Sequence, residues 1–504
     1  MLSIERIDDV KTAKQVALLL QGENDRLHKR LDALTRENAR LKGLDETKQL
    51  ELEMMRLQEQ MDALQRRLFA ASSEKRTGDD GDEDKKKKAP RTGHGPKPQP
   101  ELPIVEQTHE LPADEMTCSS CGGTLAEWEG QFEESQEVTV VERRFLVRKH
   151  LRKKYHCTCG ACVKTAAAPE RPIPGGRYST EFAVEVAAQK YLDHLPLERQ
   201  ARIMKREGLA VDSQTLWDQV WALARLYEPT YEQIRRHVLA QDVAHGDETP
   251  WYLLKKGGRE RWHAWAAACH DAVYFHIDRR RSADAADELW SGYAGWLVVD
   301  GYQTYLSLAK RKPPGALKLS YCWAHARRKF VEAEPHYPAE CKVALDLIRE
   351  LYLVEREAPD PMPLAGEERT QALELRARLR AERSAAIVER LREWAAAQRA
   401  LPESALFKAI RYMTDHWHGL TRFLHDPRLP LDNNLVEREI RSLAVGRKNF
   451  YGSKSERGLK AAAVLYTLIG TAKLQGAEPK AYLLTLARAA LRDPATALLP
   501  TEIG

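Results

Sequence analysis

Residues 296–302 read W-L-V-V-D-G-Y, a short apolar run that stops abruptly at Asp300-Gly301, a pair suited to a turn. Upstream, Gln241–Asp247 (Q-D-V-A-H-G-D), Trp262–Ala268 and Ala272–Ile277 have strand composition, and Ser282–Trp290 reads as a helix. Downstream, Leu317–Tyr321 makes a fifth strand that feeds a helix over Ala324–Glu334. The order βββαβαβ predicts a mixed sheet with helices packed against it. From Glu340 to about Phe423 the chain is rich in Arg, Glu and Ala and carries no strand signal, so an all-helical insertion is expected there.

Beyond it, Leu431–Arg441 reads L-D-N-N-L-V-E-R-E-I-R. Pro430 stops what precedes, and Asp432 or Asn433 can cap a new helix. Val436, Ile440 and Leu443 then share a face that should be buried, with Asn433, Glu437 and Arg441 one turn apart along its flank. Taken alone, these residues favour an amphipathic helix with a solvated salt bridge. Gly446–Phe450 reads as a loop, followed by an apolar helix through Ala461–Leu474 and a last helix over Ala481–Leu491.

Toward the N-terminus, residues 14–75 carry heptads: Leu20, Leu27, Leu34 and Leu41, with Asn24, Leu31 and Asn38 between them. That pattern favours a parallel two-stranded coil and hence a dimer or higher oligomer, the alternative being a single helix packed on its own chain. The register breaks near Gly43 and resumes through Leu50, Leu57 and Leu64 with Met54, Met61 and Leu68. Blocks of like charge with Pro and Gly follow, which predicts a disordered linker to about Pro103. Cys118-x-x-Cys121 and Cys159-x-x-Cys162 then offer four soft ligands for a tetrahedral structural zinc ion, with Cys157 an alternative ligand in the second cluster. Between the clusters, Phe145, Val147, Leu151 and Tyr155 would share one strand face. Arg144, Arg148, Arg152 and Lys154 would form a basic face open to DNA phosphates or merely to water. Residues 201–217, with Gly208 between two helical stretches, read as a helix-turn-helix, either DNA-reading or simply packed.

Composition sets bounds. A chain of 504 residues suffices for several domains. A net charge of +5 with 79 Lys and Arg permits nucleic acid without requiring it. No apolar run approaches a membrane span and the N-terminus lacks a signal peptide's apolar core, so a soluble intracellular protein is expected. Five of the eight cysteines crowd between Cys118 and Cys162, which argues for metal over disulfides.

The chemistry rests on carboxylates. Asp247 and Asp300 stand at strand ends that would be adjacent if the strands pair, and hard oxygen ligands of this kind suit Mg²⁺. A helix would have to supply a third. The segments Asp247-Glu-Thr-Pro, Val299-Asp-Gly-Tyr, Cys322-Trp-Ala-His325, Asp432-Asn-Asn-Leu-Val-Glu437-Arg and Gly446-Arg-Lys-Asn-Phe resemble the transposase of the insertion sequence 66 family, as do Leu68–Lys75, Cys118–Gly123 and Lys190–Leu197.

That resemblance implies an RNase H-like DDE recombinase with Asp247, Asp300 and Glu437 as catalytic ligands of two Mg²⁺ (or Mn²⁺) ions. The reaction implied is cleavage at the ends of a mobile element and transfer of the freed 3′-hydroxyls into target DNA, in company with small accessory proteins. Arg438, Arg441, Arg447 and Lys448 would then meet phosphates, and Cys322 and His325 would take a structural or substrate-organising role. Glu248 and Glu439 are the competing carboxylates, with Glu439 on the opposite flank of its helix. A non-catalytic zinc-containing DNA-binding protein and an RNase H-like nuclease without strand transfer are the alternatives.

The fold class expected is multidomain α+β. Its parts are a coiled coil (1–76), a linker (77–103), a zinc-ribbon-like module (104–168), a helical DNA-binding region (169–240) and an RNase H-like core in two parts (241–334 and 426–475). The core is split by the helical insertion (335–425) and followed by C-terminal helices (476–504).

Overall fold

The computed structural model describes residues 145–156 and 163–503, with short pieces between 54 and 61 and between 112 and 125. Most of the heptad seam, the charged linker, Arg144 and the clustered Cys118, Cys121, Cys157, Cys159 and Cys162 lie outside the described residues. Two compact units are formed, residues 1–64 with 144–504, and residues 65–143. In the smaller, the Leu125 amide donates to the Met116 carbonyl at 2.8 Å. The sheet and its helices belong to the larger.

There, strands β1 (Lys154–His156) and β2 (Val163–Thr165) form a short antiparallel ribbon. The longer strand expected over 145–155 is not formed. The ladder is three pairs long, and Val147, Leu151 and Tyr155 stand exposed rather than sharing a buried face. Four helices follow: α1 (Thr180–Tyr191), α2 (Leu197–Arg206), α3 (Ser213–Leu226) and α4 (Glu228–Leu239). The Ser179 hydroxyl caps α1 and the Asp212 carboxylate caps α3, each accepting a first-turn amide that would otherwise lack a partner.

The sheet comprises β3 (Val243–Lys255), β4 (Gly258–Ala268), β5 (Val273–Asp278), β6 (Gly295–Val299) and β7 (Leu317–Tyr321), with α5 (Ala283–Leu289) before β6, α6 (Gln303–Arg311) after it and α7 (Trp323–Ala333) after β7. Spatial order is β5-β4-β3-β6-β7. The first three strands are antiparallel, while β3, β6 and β7 run parallel. Trp296–Val299 is buried along its length, as a parallel strand covered on both faces must be.

The helical stretch contains α8 (Pro338–Glu355), α9 (Gly366–Leu379), which continues through a π-turn at Arg380–Ser384 into α10 (Ala385–Ala397), and α11 (Ala405–Asp415). Against its edge lies a helical piece at Met54–Met61. Met55 packs on the core, the Glu59 carboxylate accepts the Ala405 amide at 2.8 Å, and Met54 of the second heptad seam stays exposed.

Helices α12 (Asn434–Phe450), α13 (Glu456–Leu474) and α14 (Pro479–Arg492) complete the unit. Helix α13 is apolar on nearly every side and accordingly buried. Its Thr467 and Thr471 hydroxyls take the amides of Phe275 and Val273, so the outer edge of β5 is not left open. The loop expected over Gly446–Phe450 is instead the last turn of α12, which ends at Tyr451 with φ 63°. Gly446 serves close packing there, since an added Cβ would collide with the Tyr466 hydroxyl of α13. Among the described residues no helix is long and apolar enough to cross a membrane.

Candidate active site

Strands β3 and β6 pair in parallel, with Val243 opposite Trp296 and His245 opposite Val298. Continued two residues past its last pair, that register points Asp247 towards Asp300, whose charge reaches the Asp247 carboxyl. Asp247 Oδ1 accepts the Glu248 amide at 2.8 Å, and Asp300 Oδ1 accepts the Tyr302 amide at 2.9 Å across the turn that ends β6. Gly301 takes φ 83° in that turn, and a Cβ there would lie 2.7 Å from the His416 ring. The helical insertion holds this turn from outside. The Tyr412 hydroxyl of α11 donates to the Asp300 carbonyl, and His416 Nε2 lies 3.2 Å from the Gly301 carbonyl oxygen.

Glu437 is delivered by α12, whose Val436, Ile440 and Leu443 are buried as their spacing predicts. Only 5 % of Glu437 is exposed. Its basic neighbours come from α7: His325 Nδ1 lies 3.5 Å from Oε1 and an Arg328 guanidinium nitrogen 3.7 Å from Oε2. Arg441, expected on the same flank, is exposed.

Asp432 accepts the Asn434 amide at 3.1 Å, whereas Asn433 turns inward. The Asn433 amide oxygen meets His245 Nδ1 at 2.9 Å, its Nδ2 donates to the Gly246 carbonyl at 2.9 Å, and its backbone amide donates to Cys322 Sγ at 3.2 Å. The Cys322 amide in turn donates to the Val299 carbonyl at 3.1 Å. One buried junction therefore ties β3, the end of β6 and the start of α12 together. Cys322, His325 and Glu437 bring one ligand atom each within 4.8 Å of one another.

Electrostatically the cluster is under strain. Burial first, then the negative charges of Glu248, Asp300 and Glu437, hold the Asp247 carboxyl well above the usual carboxylate range. Arg281 donates to Glu248 Oε1 at 2.7 Å and the Tyr305 hydroxyl donates to its Oε2 at 3.1 Å. Glu439 lies on the other flank, against Gly470 of α13.

Of the basic residues expected to meet phosphate, Arg438, Arg441 and Lys448 are exposed along α12, and Arg148, Arg152 and Lys154 are exposed near β1. Arg447 departs from that expectation. It is buried, and its guanidinium donates to the Thr249 hydroxyl at 3.1 Å and to the Pro250 carbonyl, so it fastens α12 to β3. Sequence reading missed Tyr412 and His416. Their i, i+4 spacing at the end of an amphipathic helix was the available signal.

Residues 175–461 match the family model described as Transposase IS66 family, more than half of the chain. The chain belongs to that transposase family. All the residues of the candidate active site, from Asp247 to Glu437, lie inside the matched segment. Among curated relatives, this transposase-family chain is 33 % identical to the uncharacterized protein y4jD of Sinorhizobium fredii (strain NBRC 101917 / NGR234) over 391 residues, 73 % of each chain. It is 32 % identical to the uncharacterized protein y4qI of the same organism over 444 residues, covering 83 % of this chain and 78 % of the relative.

Proposed function

We propose that the chain is a DDE transposase with an RNase H-like core, in which Asp247, Asp300 and Glu437 are the catalytic carboxylates. The observation that supports this reading is the parallel pairing of β3 with β6, whose register points Asp247 towards Asp300, together with a buried Glu437 on α12 whose charge reaches Asp247. Three hard oxygen donors whose mutual repulsion is only partly relieved by protein cations fit a divalent ion such as Mg²⁺ or Mn²⁺. When bound, two such ions would supply activation of water or a 3′-hydroxyl and stabilisation of the leaving oxygen.

The chain's own residues supply the rest. Tyr412 and His416 hold the Asp300 turn, Asn433 sets the approach of α12, and Arg281 with Tyr305 keeps Glu248 out of competition for the cation. Exposed Arg438, Arg441 and Lys448 continue along α12 from Glu437 and would meet the DNA backbone on either side of the scissile phosphate. In this reading the substrates are element-end and target DNA, the N-terminal heptads join two copies, and the cysteine clusters hold a structural zinc ion.

The test is a metal-dependent cleavage and joining assay on element-end DNA. Wild type should nick the ends and join them to target. Asp300→Asn and Glu437→Gln should lose cleavage by at least about 10³-fold while retaining DNA binding, since each removes one ligand from a shared ion. Cleavage unchanged in both variants would refute the carboxylate assignment. Cleavage without joined products would reduce the activity to that of a nuclease.

A further inference from the structure

At the β4–β5 turn, three residues along β4 from the partner of Asp247, a second group of side chains converges. The four-residue turn between β4 and β5 is closed by the Cys269 amide donating to the Ala272 carbonyl at 2.8 Å, and it presents Cys269, His270 and Asp271 in succession. His237, from the last turn of α4, places Nε2 3.0 Å from both Asp271 carboxylate oxygens. The Cys269 thiol donates to Asp271 Oδ1 at 3.1 Å. One ligand atom each from His237, Cys269 and Asp271 lies within 4.8 Å of the others. His270 Nδ1 is 3.7 Å from Asp271 Oδ1, is buried, and makes no hydrogen bond among the described residues.

We propose that His237, Cys269 and Asp271, with His270 or a water as fourth donor, bind a zinc-class transition-metal ion. Ligand identity favours it. A thiolate and an imidazole beside a single carboxylate select a borderline or soft ion over Mg²⁺. Charge favours it as well, because one thiolate and one carboxylate balance a divalent cation. The spacing also suits tetrahedral zinc, whose S, N and O ligands stand about 3.3–3.6 Å apart. The contacts of Asp271 with His237 at 3.0 Å and with Cys269 at 3.1 Å would lengthen slightly as the thiol proton and the His237–Asp271 proton leave and the ion takes their place. Cys269 is fully buried, while the side chains of His237 and Asp271 are about a quarter exposed, which leaves an entry path.

This site is separate from the carboxylates proposed for catalysis. Residue 269 follows Ala268, which lies opposite His245, so the turn flanks the beginning of β3 ahead of Asp247. Helix α4 leads directly into β3, and an ion here would staple that helix to the β4–β5 turn. The role is structural: it fixes the register of the strand that carries Asp247.

Metal content separates this site from the one expected at Cys118–Cys162. Full-length wild type, Cys269→Ala and His237→Gln are stripped with chelator, reloaded with Zn²⁺, desalted and counted, with thermal unfolding recorded with and without Zn²⁺. Wild type should hold one more zinc per chain than Cys269→Ala, and His237→Gln should bind that last ion at least about 10-fold more weakly. The Zn²⁺-dependent rise in Tm should shrink in both. Should Cys269→Ala fail to fold, His237→Gln decides alone, because its site is at the protein surface and its amide can still donate to Asp271. Equal counts and equal Tm shifts in wild type and every folded variant would overturn the site.

Discussion

Asn433 is where the sheet, the Cys322 turn and the Glu437 helix meet. Its Nδ2 donates to the Gly246 carbonyl, so its oxygen must accept, and His245 must carry its proton on Nδ1. Burial pushes the His245 imidazole down to about 4, which keeps the ring neutral and this tautomer available. Asn433→Ala would strand two buried polar groups as well as lose two hydrogen bonds. A loss of about 2–4 kcal/mol in unfolding free energy is therefore expected in a urea titration. Because Asn433 touches no reacting group, cleavage in the surviving folded fraction should fall through misplacement of Glu437, and raising the metal concentration should restore part of it. An Asn433→Ala protein as stable as wild type would mean that α12 is held by its apolar face alone.

At the scale of elements, the five strands and the helices beside them were legible because each rests on local composition and periodicity, but the length of β3 was not: it runs on to Lys255, so Asp247 lies within the strand rather than at its end. The W-L-V-V-D-G run needed both faces covered, and residues 296–299 are buried accordingly. Register was not legible, since it depends on which strands become neighbours, and that is decided by packing distant in sequence. The Gly446–Phe450 stretch was misread because glycine there answers to Tyr466 of another helix, a contact no local pattern contains. Arg447 was misread for the same reason, its partners Thr249 and Pro250 lying in β3.

The insertion, legible only as helical, also proves to hold the Asp300 turn through α11. Tyr412→Phe removes one hydrogen bond and almost no volume. It should cost only about 1 kcal/mol in stability, yet slow cleavage roughly 5-fold by loosening Asp300. A rate equal to wild type in a single-turnover assay would make that contact incidental.

Across the whole unit, the chain leaves the sheet after α7, runs through the insertion and must return in time to start α12 beside β3. The return is fastened by one buried guanidinium. Arg380, 1 % exposed, donates to the carbonyls of Phe423 (2.6 Å), Asp426 (3.0 Å) and Leu429 (2.7 Å). Glu355 neutralises it at 2.7 and 2.8 Å and also takes Arg376 at 2.8 Å. Burial alone would push the Glu355 carboxyl up, but the two guanidinium groups outweigh it and hold the carboxyl below its ordinary 4.5. The sign of the linkage follows: the unfolded chain binds this proton more readily than the folded one, so the stabilisation is fully present above 4.5 and is lost as pH falls below it. Glu355→Gln leaves Arg380 buried without its counter-charge. It should cost about 3–5 kcal/mol at neutral pH and remove this part of the acid sensitivity, so wild-type and variant stabilities converge as pH falls. Denaturant titrations at a series of pH values down to acid would check it. A constant difference at every pH would show that Glu355 acts through packing rather than through its charge.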